Sequence, residues 1–346
     1  MRKASDEAAR LLESLPDEKF RPEGRSRFNP DAEKAWKKIS DKVGKSRKGI
    51  YFLVASAAIA ASVALFLISP HTGLKESDEI YPIDGAVTLK LADGKVFDLE
   101  EREIELPSAF VVNKETKSLD YSAVAETETI AEKEDVKINE LTVARGRTYK
   151  VVLSDGSKAH LNSGSTISFP ETFATDERRI RLSGEAYFDI VKDAERPFIV
   201  ETGSCSVSVL GTSFDLCAYP GEPITTATLV SGQVAVAAAG NEVILSPSHQ
   251  FRMDNATNMA DVVEVDPSEY TSWMNDELKI KKMHLSEILD ILQRRYEFTY
   301  TLSERAKEVV FSGTIPMDSP LGEILDQLCG VHQLEYKIEG TKVIIK

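Results

Sequence analysis

The side chains that most often carry chemistry are thinly scattered in this chain. Its five histidines, His71, His160, His249, His284 and His332, show no H-x-x-x-H or H-E-x-x-H spacing that would bring two imidazoles to one metal. The sequence contains no G-x-S-x-G elbow and no G-x-x-x-x-G-K-[ST] phosphate cradle. Adjacent acids such as Glu100 and Glu101 sit in a chain with 56 Asp and Glu against 42 Lys and Arg, so a solvated face explains them better than a glycosidase pair. The residues therefore point away from an enzyme and imply no cofactor and no metal. Cys205 and Cys217 lie symmetrically about Gly211. If a hairpin turned at Gly211 they would be cross-strand neighbours able to form a disulfide in an oxidising compartment; if one strand ran straight through "VSVLGTSFDL" they would not. Cys329 lies beside Leu325 and Leu328 and reads as a buried thiol.

What must position the rest of the chain is a membrane. Residues 49–69 form a run of 21 without Asp, Glu, Lys, Arg or His, interrupted only by Ser56 and Ser62. As a helix this run is about 31 Å long, matching a hydrocarbon core of about 30 Å. Forty-eight residues precede it, and its end, "ALFLISP", lacks an A-x-A-like cleavage site, so it reads as a retained anchor and not as a signal peptide. Lys37, Lys38, Lys42, Lys45, Arg47 and Lys48 lie just before the run and only Lys75 close behind it. The positive flank predicts residues 1–48 in the cytoplasm and 70–346 outside. The inner part holds 14 Lys and Arg against 9 Asp and Glu, the outer part 28 against 47. An exterior this acidic argues against direct nucleic-acid binding.

The inner segment is patterned for two short helices. Ala8, Leu11, Leu12 and Leu15 recur at helical spacing, with Ser5 placed to cap and Pro16 to stop. A second helix is predicted from the Asn29 cap, with Pro30 at its first position and Gly44 as its stop. Its stripe is Ala32, Ala35, Trp36, Ile39 and Val43. Two such helices bury little core by themselves. Leu11, Leu12, Leu15, Trp36, Ile39 and Val43 are thus candidates for a helix-in-groove contact with a partner, although a basic tail lying on the membrane would share the pattern.

Across residues 80–265, short runs of β-branched and aromatic residues alternate with turns. "VTLKLADGKVFDL" and "YKVVLSDGSKAHL" each read strand, Asp-Gly turn, strand. "VAETETIAEKEDVKINE" reads as a connecting loop. A mainly-β domain follows, a sandwich, a barrel or a β-helix-like stack. Over 277–346 the period changes. "HLSEILDILQRRYEFTYTL" and "PLGEILDQLCGVHQLEYKI" align at an offset of 36, matching Leu285, Ile288, Leu289 and Leu292 to Leu321, Ile324, Leu325 and Leu328, and Tyr300 to Tyr336. This predicts a small α/β domain of two βαβ-like repeats on one sheet. The whole is multidomain: cytoplasmic helices at 1–48, a transmembrane helix at 49–69, a β-rich domain at 80–265 and an α/β domain at 277–346.

"LSDGSKAHLNSGSTISFP", "IRLSGEAYFDIVKDAERPFIVET", "VLGTSFDLCAY" and "TATLVSGQVAV" together strongly resemble the FecR family, from about 141 to 236. The last domain is similar to the one that follows FecR domains in members from Bacteroidetes and to the short signalling domain of secretins and TonB-dependent transducers. The resemblance implies a membrane-anchored regulator of an extracytoplasmic-function sigma factor, touched in the periplasm by an outer-membrane TonB-dependent transducer. It also marks the Gly211-Thr212 bond, where members of the family self-cleave; a strained backbone would let the Thr212 hydroxyl attack the preceding carbonyl. The plain alternative is a glycine kink followed by an ordinary strand threonine. Rival readings of the chain are an envelope scaffold and an anchored glycan-binding protein.

Overall fold

In the computed structural model, residues 79–101, 106, 110–123 and 137–346 are described. The helices expected within 1–48, with Leu11, Leu12, Leu15, Trp36, Ile39 and Val43, and the span expected at 49–69 lie outside the described residues. Among the described residues no helix is long and apolar enough to cross a membrane.

Seventeen strands build the larger part: β1 (Val87–Lys90), β2 (Val96–Asp98), β3 (Val111–Asn113), β4 (Ser118–Asp120), β5 (Ile138–Val143), β6 (Tyr149–Val152), β7 (Lys158–Leu161), β8 (Thr166–Pro170), β9 (Arg178–Asp189), β10 (Phe198–Glu201), β11 (Ser206–Val209), β12 (Ser213–Ala218), β13 (Ile224–Ser231), β14 (Val234–Ala238), β15 (Asn241–Leu245), β16 (His249–Asp254) and β17 (Ala260–Glu264). They form two layers. One sheet runs β2-β1-β5-β8-β9-β10-β11-β14-β15. The other runs β3-β4-β6-β7-β9-β12-β13-β16-β17. Both Asp-Gly segments are hairpins, β1–β2 and β6–β7. No pairing among the described strands closes either sheet on itself. Of the three β architectures the sequence left open, the chain adopts the open sandwich.

Strand β9 belongs to both sheets. Its first half pairs with β8 and β10, its second half with β7 and β12. The corner is Gly184, with φ at +111°. A Cβ there would stand 2.5 Å from Ser165 Oγ and 2.7 Å from Ser165 Cα, so no other residue fits without moving backbone. Ser165 Oγ locks the corner by accepting from Glu185 N and donating to Glu185 O. Alternation then places Leu89, Leu141 and Phe198 from one sheet against Val151, Phe188 and Phe214 from the other, all fully buried. Each such side chain contributes about 1.5–3 kcal/mol of hydrophobic stabilisation. Phe188 and Phe214 are directly opposed in register and stack at 5.1 Å between centroids.

A linking turn follows: α1 (Pro267–Thr271), capped by the Asp266 side chain, then a 3₁₀ turn at Ser272–Asn275. The α/β part comprises β18 (Glu277–His284), α2 (Leu285–Leu292), β19 (Thr299–Leu302), α3 (Glu304–Lys307), β20 (Val310–Pro316), α4 (Leu321–His332), β21 (Tyr336–Glu339) and β22 (Lys342–Ile345). The eight matched apolar helix positions are all buried in one core. The strands do not share one sheet, as the repeat pattern suggests. Among the described strands β18 pairs with β20 alone, and β22 lies between β19 and β21. First strands pair with first strands, so the two repeats interlock and make two small sheets over a common core. The repeat extends to polar detail. Tyr300 Oη donates to Asp290 at 2.7 Å, and Tyr336 Oη, 36 residues on, donates to Asp326 at 2.6 Å.

Two expectations change. Residues 138–140, the end of the charged stretch read as a loop, belong to strand β5. Cys205 and Cys217 form no disulfide; both are buried free thiols. Gly211 does not turn a hairpin. Strand β11 lies in one sheet and β12 in the other, so the chain passes between layers there and the two cysteines are not cross-strand neighbours.

Candidate functional site

The densest group of buried polar side chains lies where the α/β part meets the sandwich. Past the Gly184 corner, β9 and β12 run antiparallel with Glu185 directly opposite Cys217. Asp215, two residues earlier on β12, shares that face by the period-2 alternation of a strand. Tyr219 and Glu222 follow from the loop after β12. From the α/β side Arg294 enters this pocket, just beyond the end of α2. Its Nη1 donates to Glu185 Oε2 at 3.0 Å. Its Nε and Nη2 make a two-pronged contact with Glu222, at 2.9 and 2.6 Å. The guanidinium lies 4.3 Å over the Tyr219 ring, and Tyr219 Oη is held by Ser163 O at 2.7 Å. Planar Arg, with a fixed fork of donors and an aromatic-stacking face, suits this role where Lys would not.

Trp273 makes a second contact. Its Nε1 donates to Asp215 Oδ1 at 3.2 Å, and its ring lies 5.0 Å from that of His160 on β7. Burial raises the carboxyl of Glu185 above the ordinary carboxylate range, opposed by Arg294. Burial, then the nearby Glu185, raises Asp215 well above it. Burial also pushes the Cys217 thiol up and holds His160 down at about 4, with Lys150 contributing. The thiol is therefore protonated and the imidazole neutral at physiological pH. Three carboxyl groups, those of Glu185, Asp215 and Glu222, share the one Arg294 cation, and a protonated thiol is a poor nucleophile. The arrangement suits a docking joint between two folded parts.

The sequence gives Arg294 no distinction on its own, but the repeat contains a signal. At the 36-residue offset, Arg294 and Arg295 correspond to Gly330 and Val331. The repeats agree along their core-facing helix stripes and diverge at the helix end that meets the sandwich.

The Gly211-Thr212 bond lies elsewhere, in the crossing between the layers. A Cβ on Gly211 would stand 2.7 Å from Lys192 Cα. Thr212 is buried, and its hydroxyl donates to Gln233 O at 2.9 Å and accepts from Gln233 N at 3.4 Å. These partners are backbone amide groups, which do not act as general bases at neutral pH. The geometry favours a kink fixed by close backbone approach. Purified protein incubated without proteases is expected to remain one chain, and Thr212→Ala to lose about 1 kcal/mol of stability in denaturant titrations because two part-buried hydrogen bonds to the Gln233 backbone are removed. Two wild-type fragments that vanish in the variant would instead assign self-cleavage to this bond.

The fold is thus an open two-sheet sandwich carrying an interlocked α/β repeat on a buried arginine joint. Residues 139–235 match the family FecR protein, and residues 277–345 match FecR, C-terminal. The chain thus carries both domains of the FecR family, one of regulators and not of enzymes. It is similar to two crystal structures, at 2.50 and 1.65 Å, of a protein from Parabacteroides distasonis ATCC 8503 provisionally assigned as an anti-sigma factor. In both cases the identity is 26%, the TM-score 0.55, and the match covers 60% of this chain and 98% of the other. No curated protein matches the chain.

Proposed function

We propose that the protein is a single-pass inner-membrane anti-sigma regulator. Its N-terminal helices hold an extracytoplasmic-function sigma factor in the cytoplasm. Its sandwich and α/β parts face the periplasm, where the signalling domain of an outer-membrane TonB-dependent transducer docks on the α/β part. The observation that carries this reading is the paired FecR and C-terminal FecR domains, matched in structure by a protein provisionally assigned as an anti-sigma factor. The charge step across residues 49–69 supports the orientation. The interlocked repeat offers open strand edges to a transducer segment, the route by which many domains add a partner strand. The Arg294 joint supports a relay, because it ties the docking domain to the rest of the outer region.

The test is at Trp36. A free 1–48 segment would leave the stripe Ala32, Ala35, Trp36, Ile39 and Val43 wet, so a partner groove must cover it. Truncating a buried interface Trp typically costs about 2 kcal/mol or more, roughly 30-fold in affinity. Trp36→Ala should weaken co-purification with the sigma factor by about that factor, whereas Lys37→Ala, off the stripe, should change little. Equal loss from both substitutions would identify diffuse electrostatics and overturn the groove contact.

A further inference from the structure

The chain enters its outer region through residues 79–85, a stem that follows the apolar run by ten residues in sequence and precedes β1. This stem does not pair into the sandwich. Ile80 packs on the core of the α/β part, and its carbonyl accepts from Leu321 N at 2.9 Å. Leu321 is the first residue of α4, whose N-cap position is Pro320 and provides no side-chain acceptor. The stem carbonyl therefore satisfies a helix donor that would otherwise be orphaned. Pro82 makes an isolated antiparallel bridge to Tyr296, and Ile83 N donates to Arg295 O at 2.8 Å. The opposite side of the stem lies on the sandwich. A Cβ on Gly146 would stand 1.9 Å from Ile83 O, one on Gly85 2.3 Å from Ala144 Cβ, and Arg147 pairs with Asp84.

The stem is thus wedged between helix ends of the α/β part and the 144–147 turn of the sandwich. Two adjacent residues hold the seat. The Arg294 side chain grips Glu185 and Glu222, and the Arg295 backbone grips the stem. We propose that the stem is a latch. Seating of the α/β part on the sandwich and attachment of residues 80–83 form one cooperative unit, and a partner that lifts the α/β part releases the stem as an extended peptide with unpaired backbone. The latch rests on these contacts alone; only its use in signalling rests on the function proposed above.

Amide exchange on the full-length chain in detergent micelles tests it. In wild type, the amides of Ile83 and Leu321 should be protected together. In Arg294→Lys, which weakens the clamp with little loss of volume, both should exchange about tenfold faster or more, while Phe188 and Phe214 in the sandwich keep their protection. From the other side, Ile80→Asp should accelerate exchange at Leu321 and at the Arg294–Arg295 amides. Unchanged Ile83 exchange in Arg294→Lys, or unchanged Arg294–Arg295 exchange in Ile80→Asp, would show that the stem and the seat open independently and would overturn the latch. A target-gene reporter separates the two claims. Coupled exchange with a constitutively altered reporter in Ile80→Asp supports the latch and its use. Coupled exchange with a wild-type reporter response leaves the latch standing and removes it from signalling.

Discussion

Arg294→Ala is expected to destabilise the joined sandwich and α/β parts by about 3–5 kcal/mol, the range for removing one partner of a buried ion pair. The Arg294 side chain is 18% exposed and that of Glu185 only 8%. Without the guanidinium, Glu185 keeps the Asn162 Nδ2 donor at 2.8 Å but faces Asp215 and Glu222 without the cation that offsets them. The loss should depend on pH. Burial already holds the Glu185 carboxyl above its unfolded value, and removing Arg294 raises it further. A raised acid contributes stability that is fully present below its unfolded pKa, near pH 4, and lost as pH rises through the folded pKa. The gap between wild type and variant should therefore be smallest in acid, where Glu185 is protonated in both, and largest at neutral pH and above. Denaturant titrations at several pH values would measure it. A gap that does not vary with pH would assign the cost to lost packing on Tyr219 alone.

Arg178→Ala should cost a similar amount, about 3–5 kcal/mol, inside the sandwich. Arg178 is 1% exposed, and its Nη1 donates at 2.8 Å both to Asp155 Oδ2 and to Val191 O. Its Nε donates to Arg196 O at 3.1 Å, and its guanidinium lies 5.4 Å from the Phe198 ring centre. One side chain thus staples both ends of the loop from β9 to β10 to the β6–β7 turn. Asp155→Asn should cost less, because Ser157 N can still donate to the amide oxygen and Arg178 keeps Val191 O and Arg196 O as acceptors. Arg181→Ala is the control. Its side chain is 78% exposed and pairs with Glu201 at 3.2 Å, a contact worth about 0–1 kcal/mol. If Arg178→Ala unfolds at the same denaturant concentration as Arg181→Ala, the buried pair does not hold the loop.

Local pattern determined much of this protein. Period-2 alternation and Asp-Gly turns are satisfied within a few residues, so the β1–β2 and β6–β7 hairpins could be read from the sequence. The 36-residue repeat was equally legible, because its eight apolar helix positions depend on spacing within each helix and all became core. Strand β5 was missed because Asn139, fully buried, occupies an inward position and breaks the apolar alternation. Its side chain accepts from Ala92 N and donates to Tyr121 Oη, partners 47 and 18 residues away. The same kind of distance hid the rest. The passage of the chain between layers at Gly211 depends on the backbone at Lys192, and the corner at Gly184 on Ser165. Arg294 looked like a solvated residue at a helix end until Glu185, 109 residues earlier, was brought against it by that corner. Sequence alone sets what each segment prefers on its own. Which buried charge meets which, and which strand enters which sheet, is decided only when folding closes long loops and removes the water that would otherwise have satisfied those groups.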